Sequence, residues 1–105
     1  MTLNASILER TAAIRIILYL YNNQDRNEGV HLTEVIRNVI ASSDTIQLTL
    51  DFLLKNGLVI DQRATVYPHK RYFRLTELGL EVAKPLSDAD SALRSRTDQA
   101  KQNTP

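Results

Sequence analysis

Five basic side chains, Arg63, His69, Lys70, Arg71 and Arg74, gather within residues 63–74, with Tyr67 and Tyr72 among them and Asp61 as the one acid beside them. Basic side chains on a protruding loop suit phosphates or a minor groove. The plainer alternative is a hairpin carrying solvated charges, some of them blunting an exposed strand edge, and Arg63 and Arg74 fit places along a sheet equally well. A second set is Ser43, Thr45 and Gln47, whose groups can read base edges or bond phosphate; glutamine on adenine is a common pairing. Asp44 and Asp51 lie beside them, and phosphate repels both unless they are neutralised. No lysine or arginine occurs between Arg37 and Lys55. Asp44 has a structural use, since an acid in the first turn of a helix is favoured by the dipole. Leu48 and Phe52 are expected on the exposed side, where they suit a protein contact better than a DNA contact. Arg10, Arg15 and Arg37 are further candidates for phosphate contact, although isolated arginines on helices are commonly just solvated.

Other chemistry finds little support. The two histidines, His31 and His69, have no cysteine and no carboxylate at ligand spacing, so no metal site is expected; His31 is placed at the start of the second helix. Three glycines form no phosphate-cradling loop, no nucleophile, base and acid set stands out, and Asp88 and Asp90 fall in a polar C-terminal region. Neither an enzyme nor a cofactor is expected. At 105 residues the chain has the length of one domain, and a net charge of +1 makes any electrostatic case a local one. The absence of cysteine removes disulfides and thiol chemistry. The longest apolar run, residues 16–21, is too short to span a membrane, and the N-terminus lacks a basic-then-apolar leader. A soluble, cytoplasmic protein is the expectation.

These groups must be positioned by the elements around them. Ser6 and Glu9 have capping-box spacing and open a first helix that meets no breaker before Asn22 and Asn23. Its apolar residues, Ile7, Ile14, Ile16, Ile17, Leu18, Tyr19, Leu20 and Tyr21, make more than one stripe. Two readings fit: a central core helix, or a helix that also meets a second subunit through Ile7, Leu8, Ile16 or Tyr19. After a polar loop ending at Gly29, Val30 and Leu32 add a short strand. A second helix over 32–41, with Thr33 as N-cap, buries Leu32, Val35, Ile36, Val39 and Ile40 at helical spacing. Ser42 and Ser43 stop it and cap a third helix over 44–56, which buries Ile46, Leu50, Leu53 and Leu54 and ends in Asn56 and a left-handed Gly57. Strands over 58–63 and 72–76 flank a wing at 64–70 that contains Pro68. Thr76 caps a last helix, with Leu75 and Leu80 as a staple and Leu78, Val82 and Leu86 on one face; Pro85 is expected to end or bend it. Ser87 and Asp90 then cap a further piece containing Leu93, and from Arg94 the chain reads as a frayed or disordered tail.

Three segments also carry a family resemblance: Ile16-Ile17-Leu18-Tyr19-Leu20-Tyr21, Leu53-Leu54-Lys55-Asn56-Gly57-Leu58-Val59, and Tyr72-Phe73-Arg74-Leu75-Thr76-Glu77-Leu78-Gly79. In order and spacing the chain resembles the winged helix-turn-helix regulators of the MarR, ArsR and PadR kind over residues 6–86. The resemblance implies an α+β, mostly α fold with a three-helix core, a two- or three-stranded β-wing and an additional C-terminal helix. The expected division is a winged helix-turn-helix domain at 1–86 and, at 87–105, a helical extension with a polar, partly disordered tail. By analogy 44–56 is the recognition helix for the major groove of double-stranded DNA, and the hairpin with its basic residues 63–74 is the wing. The resemblance further implies a transcriptional regulator acting as a homodimer. The candidate interface combines the first and last helices through Ile7, Leu8, Ile16, Tyr19, Val82, Leu86 and Leu93. The alternative is a winged-helix protein-interaction module docking a partner through Leu48 and Phe52.

Overall fold

A computed structural model describes residues 4–65, 67 and 70–102. Four α-helices and a three-stranded sheet follow a short 3-10 helix, Asn4–Glu9. They are α1 (Ala13–Asn22), β1 (Val30–His31), α2 (Leu32–Asn38), α3 (Ser43–Lys55), β2 (Val59–Arg63), β3 (Arg71–Leu75) and α4 (Glu77–Gln102). The sheet is antiparallel in the order β1-β3-β2. Phe73 sits at its centre, opposite Val30 on one side and Asp61 on the other, and is fully buried. Around it Ile16, Ile17 and Leu20 of α1, Val35 of α2, Ile46, Leu50 and Leu53 of α3, Val59 of β2 and Ala83 of α4 form one core. This is the expected winged helix-turn-helix arrangement, with α2 and α3 as the paired helices and β2-β3 as the wing.

Several local expectations need correction. The first helix does not run from Ser6: a 3-10 turn precedes α1, and Ala12 at φ 67 breaks the two apart. Ile16, placed at a subunit interface, is fully buried within the monomer and has no surface to offer a second copy. The second helix stops at Asn38 because Val39 is extended, which turns Ile40 out to 84% exposure instead of burying it. Its N-cap is His31 rather than Thr33, with the ring Nδ1 accepting from the Thr33 amide at 3.3 Å. The last helix does not end at Pro85, and no separate piece begins at Ser87. It runs unbroken to Gln102, through the polar stretch expected to fray and across the expected boundary at 86/87. Proline removes one donor to the carbonyl four residues back. Both Pro85 and Glu81 are on the exposed side of the helix, where water can reach the freed carbonyl. Among the described residues no helix is long and apolar enough to cross a membrane.

Candidate nucleic-acid interface

The exposed face of α3 follows from what the core takes. With Ile46, Thr49, Leu50 and Leu53 inside, the 3.6-residue repeat leaves Asp44, Leu48, Asp51 and Lys55 along the outer line of the helix. Thr45 and Phe52 lie on one shoulder, and Ser43 and Gln47 on the other. Ser43 and Gln47 are exposed and bonded to each other, the Gln47 amide donating to the Ser43 hydroxyl at 3.1 Å. Thr45 is half-buried and already engaged, its hydroxyl accepting from that of Ser42 at 2.8 Å while its amide donates to Ser42 Oγ at 3.1 Å. Leu48 is 60% exposed. Phe52 is half-buried, and the Arg10 guanidinium lies over its ring at 4.8 Å from the centroid. Of the apolar pair expected on this helix, only Leu48 is largely open.

The wing residues separate by strand parity. Successive residues of a strand face opposite ways, and the register pairs Arg63 with Arg71, Asp61 with Phe73 and Val59 with Leu75. Arg71 therefore shares the core-side face with Phe73 and is directed back at α3. Its Nε donates to Asp61 at 2.8 Å and its NH2 to Asp51 at 3.3 Å, and the guanidinium stands 4.9 Å from the centroid of the Phe73 ring. Burial alone pulls its pKa down. Hydrogen bonds to Asp61 and Asp51, together with their charges, more than offset this, and the net shift is upward. Of the two acids on α3 that phosphate should repel, Asp51 thus already has a counter-charge, supplied by a residue expected to bind phosphate itself, and Asp44 lies exposed in the first turn.

Arg74 belongs to the opposite face. Its NH1 donates to the Asn27 carbonyl at 3.1 Å, and its stem fills the space beside Gly29, where an added Cβ would stand 2.7 Å from Arg74 Cγ and from the Phe73 carbonyl. It lies along the sheet, away from the wing tip. Arg63 and Lys70 are exposed at the outer ends of the hairpin, which the Ala64 amide closes on the Lys70 carbonyl at 2.8 Å. His69 lies outside the described residues. The structure thus brings Ser43, Gln47, Arg63 and Lys70 to the surface and gives Arg71 and Arg74 internal partners. The ties of Asp51 and Arg71 and of Arg10 and Phe52 went unanticipated. Parity counted from Phe73 carries a signal for the Arg71–Asp61 pair; the other two join residues distant in the chain and have no local signature.

Of the residues expected at a subunit contact, Ile7, Leu8, Tyr19, Val82 and Leu86 are half-buried against the core and Leu93 is 68% exposed. His31 faces Tyr72 at 5.4 Å between ring centroids, and among the described residues no group of three or more His, Cys, Asp or Glu could hold a metal ion.

No protein-family model matches the chain, and no curated protein sequence does. Solved structures do. The adhesin competence repressor from Streptococcus pyogenes superposes with a TM-score of 0.77 at 19% identity, covering 90% of this chain and 66% of that one. A protein from Porphyromonas gingivalis W83 described as a MarR-family regulator gives 0.71 at 20% identity, covering 87% and 84%. A transcriptional regulator homologue from Pyrococcus horikoshii OT3 gives 0.68 at 17% identity, covering 90% and 91%. At these identities the likeness is one of architecture: the chain has the winged helix-turn-helix fold, and in structure it resembles MarR-type transcriptional regulators.

Proposed function

We propose that this protein is a transcriptional regulator that binds double-stranded DNA as a cytoplasmic homodimer, with α3 in the major groove and the wing on the flanking backbone. The observation that carries the reading is the pairing of Asp51 with Arg71. It gives one of the two acids on the outer line of α3 a counter-charge while leaving Arg63 and Lys70 open on the same hairpin. Ser43 and Gln47, exposed in the first turns of α3, supply groups for base edges, and Arg63 and Lys70 supply cations for phosphate. A two-fold arrangement would set two copies of α3 about one helical turn of DNA, roughly 34 Å, apart. The apolar residues around α1 and α4, Ile7, Leu8, Tyr19, Val82, Leu86 and Leu93, are the surface for that contact.

The competing reading, a protein-docking module, keeps Leu48 as its support. It is weakened at Phe52, whose ring is half-buried beneath Arg10.

The test is fluorescence anisotropy of a labelled mixed-sequence duplex titrated at several salt concentrations, with the wild type and an Arg63→Ala/Lys70→Ala double variant. Arg71 is left intact, because removing it would unpair Asp51. Binding should weaken steeply with salt, and the double variant should lose about 1.8 from the log–log slope, some 0.9 for each phosphate contact. No binding at low salt would abandon DNA in favour of a protein partner at Leu48.

A further inference from the structure

The α1-side shoulder of α3 carries a cation that the wing-centred reading leaves out. Arg10 is exposed, and its guanidinium is held over Phe52 at 4.8 Å from the ring centroid. Among the described residues no carboxylate lies within salt-bridge distance of it. It borders a depression of about 370 Å³ formed with Glu9, Thr11, Thr45, Leu48 and Thr49, open along the outer line of α3. Glu9 is the one acid there.

The placement is built. Ala12 has left-handed backbone at φ 67 without being glycine, a conformation that L-residues rarely adopt. It is sustained from α3 itself: the buried Thr49 hydroxyl donates to the Thr11 carbonyl at 2.7 Å, and the Ala13 amide donates to the Arg10 carbonyl at 2.9 Å. The turn that precedes α1 is thereby fastened to the middle of α3. The flat guanidinium lies against the Phe52 ring, an attraction of the cation–π kind that keeps the charge in place while leaving its N–H groups available.

We infer that Arg10 is a DNA-backbone contact on the opposite shoulder of α3 from the wing, so that phosphates are gripped on both sides of the groove α3 occupies. The inference rests on the DNA-binding reading above and adds a second anchor to it. Arg71 and Arg10 make the contrast. Both lie beside α3, one already neutralised by Asp51 and Asp61, the other without an ion pair to any carboxylate among the described residues. A helix with no basic residue of its own between its cap and Lys55 thus has an open cation set at its shoulder by tertiary structure.

The experiment uses the same labelled duplex with wild type, Arg10→Ala, Arg10→Lys and Phe52→Leu, each checked for unchanged thermal unfolding. Arg10→Ala should bind about three- to tenfold more weakly at low salt and lose about 0.9 from the salt slope. Arg10→Lys should keep the slope. Phe52→Leu, which removes the ring but not the charge, should fall between. If wild type binds and Arg10→Ala keeps the full slope, the second anchor is wrong and the wing-centred reading stands. If wild type fails to bind at low salt, both fall together.

Discussion

At its C-terminal end α3 runs into Asn56 and Gly57. There the Leu58 amide donates to Leu53 at 3.0 Å and the Gly57 amide to Leu54 at 3.1 Å, with Gly57 left-handed at φ 78, a Schellman motif closing the last carbonyls. Thr76 then fastens this end to α4. Its amide donates to Leu58 at 2.9 Å, its hydroxyl donates to the Gly57 carbonyl, and the same oxygen accepts from the Gly79 amide at 3.0 Å. At the N-terminal end the Ser42 side chain spans the first turn and Gln47 bonds Ser43, with Ser42, Ser43 and Gln47 exposed. The last turn of α3 is built into the molecule, whereas the first, which anchors only Ile46 in the core, is held by side chains at the surface. A reading helix must have that asymmetry, since the groups that meet a partner should exchange water for it without unravelling the core.

Substitutions at the two ends should therefore differ in size and in kind. The largest effect is expected at Gly79, where an added Cβ would stand 2.1 Å from the Leu58 carbonyl oxygen, a backbone atom that cannot swing aside. Gly79→Ala should force α4 away from the end of α3 and cost about 3 kcal/mol or more. At about 4–8 °C for each kcal/mol in a domain of this size, thermal unfolding followed by circular dichroism should move down by more than about 10 °C. A shift of only a degree or two would mean that α4 does not clamp α3. Ser42→Ala should cost about 1 kcal/mol, a loss of roughly 4–8 °C, by leaving the Thr45 amide without its cap. Ser42→Gly should recover most of that, because glycine at an N-cap is only a few tenths of a kcal/mol worse than serine. Equal losses from alanine and glycine would place the effect outside the cap.

The same division explains what was legible in the sequence. Gly57, Ser42 and the capping bond from the Gly79 amide to Thr76 join residues a few positions apart, and their types at that spacing announce the ends of α3 and the start of α4 directly; the bonds from Thr76 back to Gly57 and Leu58 have no such local signature. The left-handed Ala12 could not be anticipated, because it depends on the bond from Thr49 to the carbonyl of Thr11, 38 residues before it. Val39 is extended despite sitting in an unbroken helical pattern, and the Arg15 side chain donating to the Ile40 carbonyl at 2.7 Å holds a turn that no local residue dictates. Pro85 misleads in the other direction: the cost of a helical proline is met where packing of Val82, Ala83 and Leu86 holds α4 on both sides of it. Among the candidate site residues the exposure of Ser43 and Gln47 was readable from helical period alone. Strand parity and the sheet alternative already pointed to Arg71 beside Asp61 and to Arg74 along the sheet; the bonds of Arg71 to Asp51 and of Arg74 to the Asn27 carbonyl were not readable, since they join residues distant in the chain.

The smallest effect on stability is expected where the proposed function asks most. Gln47 is exposed, and among the described residues its side chain bonds only another exposed side chain, so Gln47→Ala should change unfolding free energy by no more than about 0.5 kcal/mol. If α3 reads bases, the same variant should lose about 1–3 kcal/mol of discrimination at one position of a selected site. The salt slope should stay that of wild type, because a base contact releases no counterions and a phosphate contact does. Selection of a binding site from random duplexes, repeated with Gln47→Ala, measures this directly. A relaxed preference at one base pair with an intact slope makes the free end of α3 the reader and the basic residues around it the anchors. An unchanged preference gives Gln47 no part in reading, and leaves Ser43 as the other side chain of that shoulder to test.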